Sequence, residues 1–70
     1  MYRYFLTERP VSPGCQPNNF SYSESWDEKL SIENQGITRM CWGWVDYEDK
    51  LNQKDIDDYE LWEAESNFKN

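Results

Sequence analysis

The chain has 70 residues, 37% of them apolar, among them four Trp, five Tyr and three Phe. A domain this small buries only about 60% of the surface its unfolded chain exposes, which leaves no core to spare for a deep catalytic cleft, although a few large aromatics can anchor a thin one. Fourteen acids against seven bases give a net charge of −7, which speaks against phosphate backbones and anionic lipid as direct partners.

In chain order, Tyr2 to Thr7 is dense in aromatic and branched residues and reads as a strand, with Tyr2, Tyr4 and Leu6 on one face and Arg3, Phe5 and Thr7 on the other. No signal peptide is read in this N-terminus. Pro10, Pro13, Gly14 and Pro17 then break regular structure. Asn18 to Ser25 is polar and reads as a loop or a weak edge strand, with Trp26 placed to pin it to the core. Lys29 to Glu33 reads as a short strand through Leu30 and Ile32, and Asn34-Gln35-Gly36 as a turn.

Ile37 to Tyr47 is the strongest strand. Ile37, Arg39, Cys41, Gly43, Val45 and Tyr47 share one face; Thr38, Met40, Trp42, Trp44 and Asp46 share the other. Both faces are apolar in the middle, which predicts a central position. Gly43 has no side chain to pack, so a neighbouring aromatic, Tyr4 or Phe5, is expected to lie across it. Asn52 has the chemistry of a helix N-cap, Asp55 falls at the third helical position, and Leu51 and Ile56 fall where a hydrophobic staple would close. The helix is expected over Gln53 to Asp58, and alternation over Tyr59 to Ala64 predicts a last strand. The expected fold is α+β: a small antiparallel sheet of three to four strands with one short helix between the last two, forming a single domain over residues 1–65 with a flexible tail at 66–70. A sheet this small leaves edges exposed, and a homodimer could cover one.

The residues offer little for catalysis. There is no His, hence neither the commonest general base nor a Ser-His or Cys-His pairing. Gly14, Gly36 and Gly43 are too scattered to cradle a phosphate. Cys15 and Cys41 cannot fill a tetrahedral zinc site by themselves; they read as two unrelated thiols, with Cys41 packed as a small hydrophobe. A disulfide, and a metal shared with another chain or with carboxylates, are the minor readings. No cofactor is implied, and the chain reads as a binding protein that is not an enzyme.

The charge is gathered at one end. Asp46, Glu48, Asp49, Asp55, Asp57, Asp58, Glu60, Glu63 and Glu65 are opposed only by Lys50 and Lys54, so the segment from Asp46 to Glu65 carries the whole excess. Asp46 and Glu48, two apart, would project to one side, and Asp55 and Asp58 are neighbours on the helix. The block reads either as a solvated face or as a surface made for a basic cleft. In the second case the partner-binding residues are Asp46, Glu48, Asp49, Asp55, Asp57, Asp58, Glu60 and Glu63. Trp42 and Trp44 read as core or as a pair of protein-binding anchors.

The segments Tyr4-Phe5-Leu6-Thr7-Glu8-Arg9-Pro10, Ser12-Pro13-Gly14-Cys15-Gln16-Pro17 and Trp42-Gly43-Trp44-Val45-Asp46-Tyr47 resemble small proteins of gut-type Firmicutes and of their phages and mobile elements. That resemblance covers about half the chain and brings no activity or functional residues with it. By size and acidity the chain is also similar to phage-borne inhibitors of the anti-CRISPR type, which implies a protein that acts in the bacterial cytoplasm and competes with DNA for a nuclease. The leading expectation is therefore an inhibitor whose acidic C-terminal half occupies the basic, nucleic-acid-binding surface of a partner such as a CRISPR effector nuclease, without contacting nucleic acid or membrane itself. The alternative is a structural or accessory module that self-associates through a sheet edge.

Overall fold

The structure, a computed structural model, describes residues 1–68. It contains β1 (Tyr2–Leu6), β2 (Tyr22–Asn34), β3 (Ile37–Tyr47), α1 (Gln53–Asp58) and β4 (Leu61–Glu63), followed by a 3₁₀ turn at Glu65–Phe68. The strands form one antiparallel sheet in the order β2-β3-β1-β4. This is the expected α+β arrangement, with the helix between the last two strands and β3 inside the sheet.

Register follows from the apolar alternation. Tyr4 lies opposite Val45, and Leu6 lies opposite both Gly43 and Leu61. One face therefore gathers Tyr4, Leu6, Val45, Tyr47 and Leu61, and Ile56 of α1 completes the core, with Val11, Cys15, Leu51 and Tyr59 packed around it. Each large side chain buried there contributes about 1.5–3 kcal/mol. The helix begins as its sequence requires: Asn52 Oδ1 accepts the Asp55 N–H at 2.8 Å, while Leu51 and Ile56 join the same cluster.

The opposite face is not a second core. Trp42 and Trp44 are half-buried, and each lies beneath a cation: the Arg3 guanidinium is 3.7 Å from the Trp44 ring centroid and Lys29 Nζ is 5.6 Å from that of Trp42. Phe5 and Trp62 pack at 5.8 Å beside them. Among the described residues no helix covers this side of the sheet as α1 covers the other, and the tryptophans are roofed by long basic side chains instead.

Four local expectations are corrected. β2 is one strand of 13 residues interrupted by a bulge between Ser25 and Leu30; its polar sequence is tolerated because an edge strand is wet on both faces, and the long β3 pairs with it on either side of the bulge. Trp26, on the bulge, does not pin the core but donates its indole N–H to the Glu24 carboxylate at 2.6 Å. Gly43 is not crossed by Tyr4 or Phe5. A Cβ there would stand 2.1 Å from the Glu24 carbonyl oxygen and 2.7 Å from a Val11 methyl, so the close approach comes from β2 and the Pro-rich loop. The last strand starts at Leu61 because Tyr59 caps α1 and Glu60 takes a positive φ of 54° to leave the helix.

The chain end is tied down further than its composition implies. In the 3₁₀ turn, Asn67 is buried and brackets one residue of β1: its Oδ1 accepts the Arg3 N–H and its Nδ2 donates to the Arg3 carbonyl, both at 2.7 Å. Of the segment expected as a tail, 66–68 is thus folded onto β1, and 69–70 lie outside the described residues. The β2–β3 hairpin turns through Gln35 and Gly36, both at positive φ (55° and 74°), the two-residue geometry that matches strand twist. Its tip reaches across to β4, where Asn34 and Gln35 side chains both donate to the Glu63 carbonyl at 2.8 Å and Asn34 Oδ1 accepts the Glu65 N–H.

Candidate functional site

The C-terminal end of β3 and the start of α1 form one wall of an open groove of about 670 Å³, and the Asn-rich segment before β2 forms the other. Two bonds fix that second wall. The Tyr47 hydroxyl donates to the Pro17 carbonyl at 2.8 Å, and the Ser21 N–H donates to the Asp46 carbonyl at 2.7 Å. On the near side, the Leu51 N–H donates to the Tyr4 hydroxyl at 3.0 Å, which holds the chain between β3 and α1 against the core. Burial pushes the phenols of both Tyr47 and Tyr4 above the ordinary tyrosine range; around Tyr47 the effect is reinforced by Tyr59 and Asp55.

Glu48, Asp49 and Asp55 line this groove, with Asn18, Asn19 and Asn52 supplying neutral polar groups. Among the described residues no salt bridge reaches these three acids. Lys50 also lines the groove, with its ammonium 5.7 Å from the Phe68 ring, so three acids there face one cation. The groove is therefore a negatively charged surface with hydrogen-bonding walls, suited to cationic side chains.

The rest of the acidic block is divided. Asp46 is not a surface acid: it is buried, and it takes two hydrogen bonds from Arg3, at 2.8 and 3.0 Å, on the far face of the sheet. That bond raises the Arg3 pKa further. Asp46 and Glu48 therefore do not form a row, because the strand ends at Tyr47 and its alternation ends with it. Asp58 pairs with Lys54, raising that lysine's pKa, and Asp57 accepts from Gln53. Glu60 pairs with Arg9 at 3.1 Å. Asp57 and Glu60 flank a separate shallow cleft that also includes Arg39. Glu63 is half-buried in β4, opposite Tyr4, with Oε2 enclosed and unpartnered.

Of the eight acids expected to bind a partner, the structure brings three together. The groove's asparagine wall was not singled out from the sequence; the only local signal is the run Asn18-Asn19, whose second member has a positive φ of 69°. Both cysteines are free thiols: Cys41 is fully buried, which pushes its pKa up, and Cys15 Sγ lies 3.2 Å from Ser12 Oγ. Among the described residues no three His, Cys, Asp or Glu side chains are grouped to hold a metal.

Residues 1–66 match the family model described as Defence against restriction A C-terminal. The chain belongs to that family. Its relationship is thus to phage-type anti-restriction proteins, and the Defence against restriction A C-terminal domain is here a four-stranded sheet with one short helix. No curated protein and no solved structure matches the chain.

Proposed function

We propose that this Defence against restriction A C-terminal domain is a non-catalytic inhibitor that places its acidic groove on the basic, nucleic-acid-binding surface of a nuclease in the bacterial cytoplasm. The observation that carries the reading is the convergence of Glu48, Asp49 and Asp55, which no salt bridge reaches among the described residues, in one groove of a folded scaffold where Lys50 alone opposes them. Fixed carboxylates steer a basic partner and raise its association rate. The family's description favours a restriction nuclease as that partner over a CRISPR effector. Lysines and arginines that grip DNA would meet carboxylates in place of phosphates.

The test is inhibition of DNA cleavage by a purified restriction nuclease, with a CRISPR effector as a parallel arm. Combined Glu48→Gln, Asp49→Asn and Asp55→Asn should weaken inhibition at least about tenfold, and salt should weaken the unaltered protein's inhibition in the same way. Asp46→Asn is the contrasting variant, because its carboxylate faces Arg3 and not the groove. Full inhibition by the triple variant would rule out the charge mechanism. Inhibition in the CRISPR arm alone would move the target from one nuclease class to the other.

A further inference from the structure

The two margins of the sheet are treated differently. At β4, hairpin side chains bond the Glu63 carbonyl and the backbone just beyond it. At β2, Tyr22–Ser25 and Leu30–Asn34 pair with β3 alone, and among the described residues no backbone hydrogen bond from outside the sheet reaches Tyr22–Asn34. The outward N–H and C=O groups of β2 are thus a template for another strand. Beside its first half lies a cleft of about 290 Å³ lined by Val11, Pro13, Gln16, Phe20, Ser23 and Ser25, among others. The two serines are small enough to leave room for a foreign side chain. Gln16 is 5% exposed and among the described residues its Oε1 has no hydrogen-bond partner; a donor entering the cleft is what that oxygen lacks. Phe20, in the cleft lining, is 40% exposed.

Charge selects the occupant. β2 carries Glu24, Asp27, Glu28 and Glu33 against Lys29 alone. Two copies pairing along this edge would set these acids against one another, so a second copy is the disfavoured partner and a basic strand the favoured one. We infer that the edge of β2 over Tyr22–Ser25 accepts an extended, basic segment of a partner protein as an added strand, with one of its side chains seated in the cleft beside Phe20 and Gln16. Main-chain bonds would give affinity, and the cleft with the flanking acids would give specificity. This surface shares Asn18 with the groove but none of Glu48, Asp49 and Asp55, and it does not rest on the function proposed for that groove.

The probe is a peptide of roughly eight residues alternating lysine and valine, titrated into the full chain while amide hydrogen exchange is followed. Slowed exchange in Tyr22–Ser25 is the expected result. An Asp27→Lys, Glu28→Lys variant should bind the peptide at least about tenfold more weakly, as should Phe20→Ser. The groove variant with Glu48→Gln, Asp49→Asn and Asp55→Asn should bind it unchanged. A peptide N-methylated at alternate positions that binds equally well would overturn the inference, since charge alone would then suffice. Protection confined to the groove, no binding by the peptide, or dimerisation of the free chain through β2 would overturn it as well.

Discussion

Arg3 carries three duties at one position. Its backbone is bracketed by Asn67, its guanidinium grips Asp46 through two bonds, and the same group lies on Trp44. Asp46→Ala would leave a partly buried guanidinium without its partner, so we expect a loss of about 1–2 kcal/mol, with the exposed part of Arg3 screened by solvent. Glu48→Gln, two positions away and solvated, should stay within about 0.5 kcal/mol. Urea unfolding of the two variants side by side would check the contrast, and equal losses would refute the assignment of Asp46 to structure. Tyr47 gives a pH signature. Its folded phenol titrates above the unfolded value near 10. Its contribution to stability is therefore fully present below about pH 10 and is lost as pH rises through the higher folded value. Tyr47→Phe should flatten this alkaline loss and cost about 1 kcal/mol at neutral pH, through the bond to the Pro17 carbonyl.

At the scale of elements, the hairpin β2–β3 and the short β1 meet at Gly43. The sheet can bring β2 and the Pro-rich loop so close because no Cβ stands there. Gly43→Ala would press a methyl against the Glu24 carbonyl and Val11, and the backbone atom cannot rotate away. The expected loss is on the order of 3 kcal/mol in a denaturation experiment; a loss below about 1 kcal/mol would mean that β2 yields easily at its bulge. These elements also mark what was readable beforehand. β3, α1 and the Asn52 cap follow from short-range rules of alternation and capping, and they appear with the expected residues. β2 is not legible as one strand because Ser, Glu and Asp dilute its alternation, and the bulge shifts register between Ser25 and Leu30. Asn34, Gln35 and Asn67 act over 28 to 64 positions, a range at which no local pattern speaks.

The whole molecule is acidic, but less one-sided than its sequence. Arg3 and Arg9, both from the N-terminal end, neutralise Asp46 and Glu60 of the block. The remaining repulsion is a surface property and is screened within about 10 Å at 0.1 M salt. We expect the thermal midpoint to rise by a few degrees between roughly 20 mM and roughly 0.5 M NaCl, while inhibition of a nuclease weakens over the same range. A midpoint that falls with salt would show that the ion pairs outweigh the repulsion.

Composition, alternation and capping determined by themselves the α+β class, the central strand, the helix and the excess of negative charge, because each depends on neighbours a few positions apart. Which acids act together was decided only by tertiary structure. Folding turned Asp46 under Arg3, paired Asp58 and Glu60, and left Glu48, Asp49 and Asp55 across from an asparagine wall supplied by a segment some 30 residues earlier. A carboxylate's role is set by what stands within a few ångströms of it, and that depends on how distant parts of the chain meet.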